Sequence, residues 1–322
     1  MRSVEVGTND AGQRLDKFMG KFFPSMPQSL LYKYIRKKCV RVNGRHANAD
    51  FRLNAGDVLA FYIKDEFFSS PEPEQAYKTV SAKLDIIYED ENIMLVNKPA
   101  GLVVHEDESK SANTLIAHIQ SYLYRKGEYE PEKENTFAPA LCNRIDRNTQ
   151  GIVIAAKNAE SLRILNQKIK DRELHKFYLC LAFGRFDEKS AVKKAFLFKD
   201  TNRKQVTIYK SPTRGAKPIA TKYRVLAYRE GISLVEVELI TGRTHQIRAH
   251  MAYLSHPLVG DGKYGRNADN KRAGRNVQAL CAYKLAFDFS TDAGILSYLD
   301  GKVFSIKNVD FVNEFGFDIY RP

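Results

Sequence analysis

Apolar residues near the amino terminus recur at helical spacing. Leu15 to Phe22 carries four apolar side chains three and four residues apart, and Leu30 to Ile35 repeats this spacing. A break between Pro24 and Pro27 separates the two segments, so we predict two short amphipathic helices. Val40 to Val42 and Val58 to Ile63 are alternating or apolar, which predicts strands of a small sheet that packs on the helices.

The rest of the chain is dominated by predicted strands. Asn158 can cap a helix that carries Leu162 and Leu165, and a second helix is predicted from Arg243 to Leu254. Together the elements predict an α+β fold, in which a mixed, largely antiparallel β-sheet with short helices follows a small N-terminal α/β domain. Six segments predict the strands of the larger sheet, the first two and the last two as hairpins: residues 84–88, 93–96, 152–156, 176–183, 222–228 and 232–240.

One segment between the two parts shows no periodicity. Residues 64–82 contain Pro71, Pro73, serines and several charges, which is typical of a linker. We therefore expect a domain over residues 1–63, a linker over 64–82 and a larger domain over 83–322. A chain of 322 residues with 43% hydrophobic content is long and apolar enough for two such cores.

The charge of the chain is strongly positive and it clusters. Lys and Arg number 51 against 38 Asp and Glu, a formal net charge of +13, and residues 1–62 alone hold 11 basic and 5 acidic residues. A polyanionic partner, nucleic acid above all, is the hypothesis that this favours; the alternative is a solvated basic face that only keeps the protein soluble.

Several classes of protein are disfavoured by what the sequence lacks. No apolar segment suits a signal peptide or a membrane span, so we expect a cytoplasmic protein without membrane contact. The four cysteines form no CxxC pair, and the spacing of His245, His250 and His256 does not favour a metal site. We expect no metal and no cofactor, and nothing in the sequence requires more than a monomer.

Two polar segments carry the candidate chemistry. In the run from Asn143 to Gly151, Asp146 lies between Arg144 and Arg147 just before an apolar strand. The predicted helix from Arg243 holds two arginines and two histidines, more than packing requires, and Arg248 lies one position from its apolar stripe. We predict that Arg248 meets Asp146 at the edge of the sheet; the alternative for Asp146 is a turn or cap aspartate.

The N-terminal segment resembles the α-L RNA-binding motif, a small module found in a ribosomal small-subunit protein and in several RNA-modifying enzymes. The similarity depends on short blocks: Arg14-Leu15-Asp16-Lys17, Ser29, Tyr34-Ile35-Arg36, Val40, Val42-Asn43-Gly44 and Gly56-Asp57. The resemblance implies that the second predicted helix and the turn after it offer cations to phosphates: Lys33, Arg36, Lys37, Lys38, Arg41 and Arg45.

Residues 83–322 resemble the RluA-type pseudouridine synthases. Three blocks match in order: Tyr88 to His105, Arg144 to Lys157, and Thr241 to Gly265. The family usually has His-Arg-Leu-Asp with Thr-Ser-Gly, whereas this chain has Asn143 and Gln150 in place of the histidine and the serine. The resemblance implies isomerisation of a uridine in RNA, in which the bond from ribose to the base nitrogen is broken and a carbon–carbon bond forms.

The resemblance also implies roles for individual residues. Asp146 would be the nucleophile, on the sugar's anomeric carbon or on the uracil ring, with Arg248 as its guanidinium partner. Arg144 would help push out the target nucleotide; the alternative for this residue is a phosphate contact or an ion pair. Tyr178 would pack on the uracil and serve as a proton relay; the alternative is an ordinary outward-facing strand tyrosine. Three further residues are expected to contact the substrate: Lys98, Arg243 and His245.

The resemblance favours ribosomal RNA of the large subunit as substrate, because the N-terminal module accompanies one branch of the family. Transfer RNA is the second choice. A noncatalytic RNA-binding protein of ribosome assembly is the alternative from a different functional class. A hydrolase that uses Asp146 with a histidine has no ordered set of nucleophile and base to support it.

Overall fold

The computed structural model describes residues 1–68, 76–106 and 112–318. Within these ranges no helix is long and apolar enough to cross a membrane.

The N-terminal part is a four-stranded antiparallel sheet covered by two helices. Asn43 and Gly44 both have positive φ, at 50° and 76°, and form the tight turn that an Asn-Gly pair favours. The helices place Phe18 and Met19 in an apolar core of their own against Phe61. Both predicted helices are confirmed in these elements: β1 (Arg2–Glu5), α1 (Leu15–Phe22), α2 (Gln28–Arg36), β2 (Val40–Val42), β3 (Arg45–His46) and β4 (Val58–Phe61).

The predicted linker is more ordered at its ends than the sequence suggested. Phe68 packs on the ring of Phe23 at 5.0 Å and so extends the N-terminal core. A short helix, α3 (Ala76–Thr79), follows, and the carbonyl of Val80 accepts a hydrogen bond from Ser121 Oγ at 3.0 Å. The expectation of an irregular segment is therefore corrected at residues 76–80; Pro71 and Pro73 lie outside the described residues.

The larger part of the chain is built on one extensive sheet. Its strands are β5 (Ile86–Glu89), β6 (Ile93–Lys98), β7 (Ala140–Leu141), β8 (Gln150–Ala156), β9 (Leu174–Phe183), β10 (Ser190–Asp200), β11 (Gln205–Tyr209), β12 (Lys217–Arg229), β13 (Ile232–Leu239), β14 (Leu280–Phe287) and β15 (Val303–Ser305). Its helices are α4 (Leu115–Lys126), α5 (Ala159–Asp171), α6 (Gln246–Tyr253), α7 (Asn267–Arg272) and α8 (Asp310–Glu314).

The strand order is β11-β10-β12-β13-β9-β14-β8-β6-β5, with β15 beside β14 and β7 beside β8. Among the described strands only β8 and β14 pair in parallel, so the predicted α+β fold with a mixed, largely antiparallel sheet is confirmed. The hairpins β5–β6 and β12–β13 are also confirmed. Helix α4 and strands β10, β11 and β14 had not been predicted.

Both faces of the sheet are buried, and the alternation along β9 shows how. Leu179 and Leu181 point into a core with α5 and α8, whereas Tyr178 and Cys180 point into a second core with α4 and α6. Asn158 caps α5 as predicted, since its Oδ1 accepts a hydrogen bond from the Ser161 backbone N–H at 2.8 Å. The second core meets the surface where the loop before β8 approaches α6.

Candidate active site

Asp146 lies in the loop between β7 and β8, which is fixed at both ends. Asn143 Oδ1 accepts a hydrogen bond from the Ile154 backbone N–H at 2.8 Å, and the Asp146 carbonyl accepts one from Thr149 N–H at 3.0 Å. Gly151 has φ +127°, and a Cβ there would lie 2.4 Å from the Ala282 carbonyl oxygen. Only glycine therefore permits the close parallel approach of β8 to β14 beneath the loop.

Arg248 joins two carboxylates. Its Nη1 donates to Asp146 Oδ2 at 3.1 Å, and its Nε and Nη2 donate to the two oxygens of Asp261 at 2.7 and 2.9 Å. The predicted contact between Arg248 and Asp146 is thus present, although α6 begins at Gln246 rather than at Arg243. Because two of its donor groups are held by Asp261, the guanidinium can present only one edge to Asp146.

Burial and charge oppose each other in this group. Asp261 is fully buried, which alone would raise its pKa, but hydrogen bonds and the charge of Arg248 outweigh burial and lower it. Burial likewise opposes the charged form of Arg248, yet the pKa of Arg248 is raised because Asp261 and Asp146 stabilise the cation. The Arg248–Asp261 pair therefore stays ionised and holds a cation against Asp146.

His245 lies on the other side of Asp146. Its Nε2 is 3.7 Å from Asp146 Oδ2, and its Nδ1 is 2.8 Å from Tyr264 Oη. Burial is the main reason that the pKa of His245 is lowered, and the nearby cations Arg248 and Lys263 act in the same direction against the opposing charge of Asp146. The imidazole is consequently neutral at neutral pH.

Tyr178 reaches the same cavity from the floor of the sheet. Its side chain is only 6% exposed, so the alternative of an outward-facing strand tyrosine is wrong. Burial, reinforced by the negative charge of Asp146, raises its pKa far above the ordinary value. The phenol therefore carries its proton and offers a ring face and a hydroxyl to a bound base.

A cavity of about 460 Å³ surrounds these groups. Arg144 and Arg243 are exposed and line its rim, together with His105. Lys176 lines it as well, and burial lowers the pKa of that lysine. The predicted Asp146, Tyr178, Arg248, Arg144, Arg243 and His245 are thus brought together around one opening.

Lys98 is a correction to the expected substrate contacts. Its side chain is fully buried, and Nζ donates to the carbonyls of Pro99, Leu102 and Arg147 at 2.7, 2.7 and 2.8 Å. Three acceptors use the three hydrogens of an ammonium group. Burial lowers the pKa of Lys98 to about 8, against the opposing charge of Asp146. Lys98 therefore supports the loop of Asp146 from behind.

The other residues singled out in the sequence have structural positions. His250 Nδ1 is 2.9 Å from Thr221 Oγ1, and His256 stacks on Phe186 with ring centroids 3.7 Å apart. Within the described residues no three His, Cys, Asp or Glu side chains are grouped so that they could hold a metal ion. The six basic residues predicted to bind RNA are exposed on the N-terminal part of the chain: Lys33, Arg36, Lys37, Lys38, Arg41 and Arg45.

Asp261 and Tyr264 received no role from the sequence. The only signal for them was the compact Gly260 to Gly265 segment in the third matched block. The structure explains this segment, because Asp261 Oδ1 also accepts the backbone N–H groups of Lys263 and Tyr264 at 2.9 and 3.1 Å. One turn thus orients both Arg248 and the tyrosine next to His245.

Comparison with known proteins agrees with this geometry. Residues 92–253 match the sequence profile of the family described as RNA pseudouridylate synthase. The chain is 37% identical over 293 residues to an uncharacterised RNA pseudouridine synthase of Mycoplasma genitalium, with 88% of each chain covered. It is 30% identical over 294 residues to ribosomal large subunit pseudouridine synthase C of Vibrio cholerae, with 89% of this chain and 88% of that protein covered.

A solved structure shares the fold. Human RNA pseudouridylate synthase domain containing 1 aligns with a TM-score of 0.52 at 21% identity, over 76% of this chain and 97% of that one. At this identity the likeness concerns the fold.

Proposed function

Because this chain belongs to the RNA pseudouridylate synthase family, whose members are isomerases acting on RNA, we propose that it converts specific uridines of large-subunit ribosomal RNA to pseudouridine. The name of the relative from Vibrio cholerae supports this choice of RNA. Transfer RNA is the second candidate. The observation that carries the assignment of the site is the contact of 3.1 Å between Arg248 Nη1 and Asp146 Oδ2 inside the cavity.

Asp146 is the proposed nucleophile. Its carboxylate attacks the anomeric carbon of ribose or the uracil ring, and both routes need the ionised form. The bond from ribose to N1 breaks, a bond from ribose to C5 forms, C5 loses its proton and N1 gains one. Since the atoms and electrons balance within the nucleoside, the reaction needs no external oxidant, reductant or group donor.

Arg248 aims the nucleophile and places a positive charge beside it. Asp261 holds the guanidinium edge formed by Nε and Nη2, so that Nη1 points at Asp146 without a rotamer search. In a site that excludes most water, such a fixed cation stabilises a carboxylate more than it would in bulk solvent.

The remaining cavity residues act on the target nucleotide. Tyr178 packs on the uracil; as a proton relay it must pass its own proton on, because its raised pKa keeps the phenol neutral. Arg144, exposed at the rim, takes the place of the extruded nucleotide. Extrusion of a nucleotide from a stacked helix costs a few kcal/mol, which such a replacement helps to offset. Arg243, which is also exposed at the rim, contacts the RNA backbone.

Two basic surfaces supply RNA affinity. One is the N-terminal domain over residues 1–63, joined through residues 64–82 to the catalytic domain over residues 83–322. The other is the β10–β11 hairpin with the segment that follows: residues 190–217 hold 8 Lys and Arg against 1 acidic residue. Seven of these cations are exposed: Lys194, Lys199, Arg203, Lys204, Lys210, Arg214 and Lys217. Such surfaces bind phosphate without reading sequence.

The same proposal places the protein in the cytoplasm, with its RNA substrate, as a monomer. A single chain already supplies all the side chains assigned to the site, from Arg144 to Arg248.

The test is position-resolved mapping of pseudouridine in total RNA from cells with and without the gene. Expression of the wild-type chain should restore any lost site in the large-subunit RNA, and an Asp146→Asn chain should not. Asp171→Asn, which alters an exposed carboxylate on α5 outside the cavity, is the matched control and should restore the site.

Measurement of RNA binding separates a catalytic role from a noncatalytic one. Asp146→Asn should retain the RNA affinity of the wild type while forming no product. Restoration of every lost site by Asp146→Asn would refute the catalytic assignment and favour an RNA-binding protein of ribosome assembly. Loss of sites in transfer RNA alone would refute the choice of ribosomal RNA and leave the chemistry intact.

A further inference from the structure

The hydroxyl of Tyr264 lies between the β10–β11 hairpin and the candidate active site. On one side the Val206 backbone N–H, on β11, donates to Tyr264 Oη at 3.2 Å. On the other side Tyr264 Oη is 2.8 Å from His245 Nδ1. The tyrosine therefore forms a chain of hydrogen bonds from a strand backbone to an active-site imidazole.

The direction of this chain follows from its first donor. A backbone N–H can only donate, so the Val206 bond occupies one lone pair of the tyrosine oxygen. Among the described residues, the only other hydrogen-bond partner of this hydroxyl is His245 Nδ1. The hydroxyl hydrogen finds a partner within the described protein only if Tyr264 donates to Nδ1, which makes Nδ1 the acceptor.

This assignment fixes the tautomer of His245. When Nδ1 of a neutral imidazole accepts, the hydrogen is on Nε2. Nε2 is the nitrogen that faces Asp146, at 3.7 Å from Oδ2. His245 also has φ 53°, an uncommon conformation for a non-glycine residue, and it is held there directly before α6.

We propose that Tyr264 is a positioning residue that holds His245 as the tautomer with hydrogen on Nε2, so that Asp146 is flanked by two donors, Arg248 and His245. The inference rests on the proposed function of Asp146 as nucleophile. A closing movement of about 1 Å upon RNA binding would turn the His245 approach into a hydrogen bond of normal length. The opposite tautomer would present a lone pair to the carboxylate and repel it.

The ring of Tyr264 has a separate contact that the test must preserve. The guanidinium carbon of Arg248 lies 5.4 Å from the ring centroid, which is within cation–π distance. Tyr264→Phe keeps the ring over Arg248 and removes only the hydroxyl. Tyr253→Phe removes the hydroxyl of a half-exposed tyrosine at the end of α6 and is the matched control.

Nitrogen NMR reads the tautomer directly. The full chain, labelled with ¹⁵N in its 7 histidines, is recorded about one unit above the ordinary histidine pKa of 6.5, where neutral imidazoles dominate. The signal missing from His245→Gln identifies His245. The wild type and Tyr253→Phe should show protonation on Nε2 alone, whereas Tyr264→Phe should shift both nitrogens toward a mixture of tautomers.

Single-turnover kinetics test the consequence. Tyr264→Phe should slow pseudouridine formation about tenfold, the effect of one lost hydrogen bond, with the dissociation constant for RNA changed less than about twofold. An equal loss in rate and affinity, or an unchanged rate, would refute the positioning role.

The outcomes separate this inference from the proposed function. A His245 signal with hydrogen on Nδ1 in the wild type, or a spectrum unchanged in Tyr264→Phe, overturns the inference even if the enzyme is active. If Tyr264→Phe does not fold, the wild-type spectrum alone decides. A wild-type chain that modifies no RNA overturns the proposed function. The NMR spectrum then still decides whether Tyr264 holds the tautomer of His245.

Discussion

Replacing Asp261 by asparagine probes the buried ion pair behind Asp146, the proposed nucleophile. In the wild type, Asp261 Oδ2 accepts from Arg248 Nε, while Oδ1 accepts from Arg248 Nη2 and from two backbone N–H groups. In the variant, an amide oxygen can keep the Oδ1 contacts, but the amide NH₂ then faces the Nε–H of Arg248. Two donors oppose each other, and the guanidinium loses its full countercharge.

The magnitude follows from burial. Asp261 is fully buried and Arg248 is 8% exposed, so solvent cannot replace the lost partner. Breaking a buried ion pair on one side costs about 3–5 kcal/mol. Because Asp146 still neutralises part of the charge of Arg248 at 3.1 Å, we expect the lower end, about 3 kcal/mol of unfolding free energy.

Urea unfolding measures this change. Far-ultraviolet circular dichroism is the suitable probe, because the chain has no Trp whose fluorescence could report unfolding. Asp288→Asn is the control: its carboxylate is 81% exposed and lies 3.5 Å from His175, so its loss should barely move the midpoint. An Asp261→Asn midpoint equal to that of the wild type would refute the reasoning.

The double variant with Asp146→Asn sharpens the test. In the double variant Arg248 loses both of the carboxylates that pair with it in the wild type, Asp146 and Asp261. We expect the combined loss of unfolding free energy to exceed the sum of the single losses by about 1 kcal/mol or more, because contacting charges are not additive. Strict additivity would show that Asp146 and Asp261 do not share the cation.

Three further predictions follow from single features. Gly151→Ala should lower the melting temperature far more than Gly44→Ala, because the new Cβ would lie 2.4 Å from the Ala282 carbonyl whereas Gly44 has open space; equal shifts would contradict this. Burial lowers the pKa of His250 to about 4, so protonation favours the unfolded state and stability is lost as pH falls from about 6.5 to 4, by up to about 3 kcal/mol. Unfolding titrations should show a shallower loss over this window in His250→Gln, and identical slopes would count against it. Finally, three exposed cations in or next to the hairpin, Arg203, Lys204 and Lys210, can be changed to Gln together. The plot of log affinity for RNA against log salt concentration should then become less steep by about 2, and an unchanged slope would exclude the hairpin from phosphate binding.

The local pattern of apolar and turn-forming residues predicts much of the fold. The helical spacing at Leu15–Phe22 and the Asn43-Gly44 pair are properties of a few neighbouring residues, and both elements are present. The β10–β11 hairpin was missed because six of the 20 residues from Ser190 to Tyr209 are charged and interrupt its apolar pattern. β14 was missed although it is central, because only pairing with distant β8 and β9 identifies it.

The sequence by itself determined that Arg248 and Asp146 are partners, since a carboxylate between two arginines and an arginine beside the apolar stripe of α6 are local features. The proposed role of Asp146 as nucleophile came from the resemblance to the family. Only the tertiary structure decided how the two side chains are held. Asp261 and Tyr264 lie in one local turn, but the side chain and the strand that they contact, Arg248 and β11, come from elsewhere in the chain. Lys98 likewise meets the carbonyl of Arg147 only after folding. Chain spacing carries no information on such burial, because whether an ammonium meets RNA or backbone depends on which segments surround it.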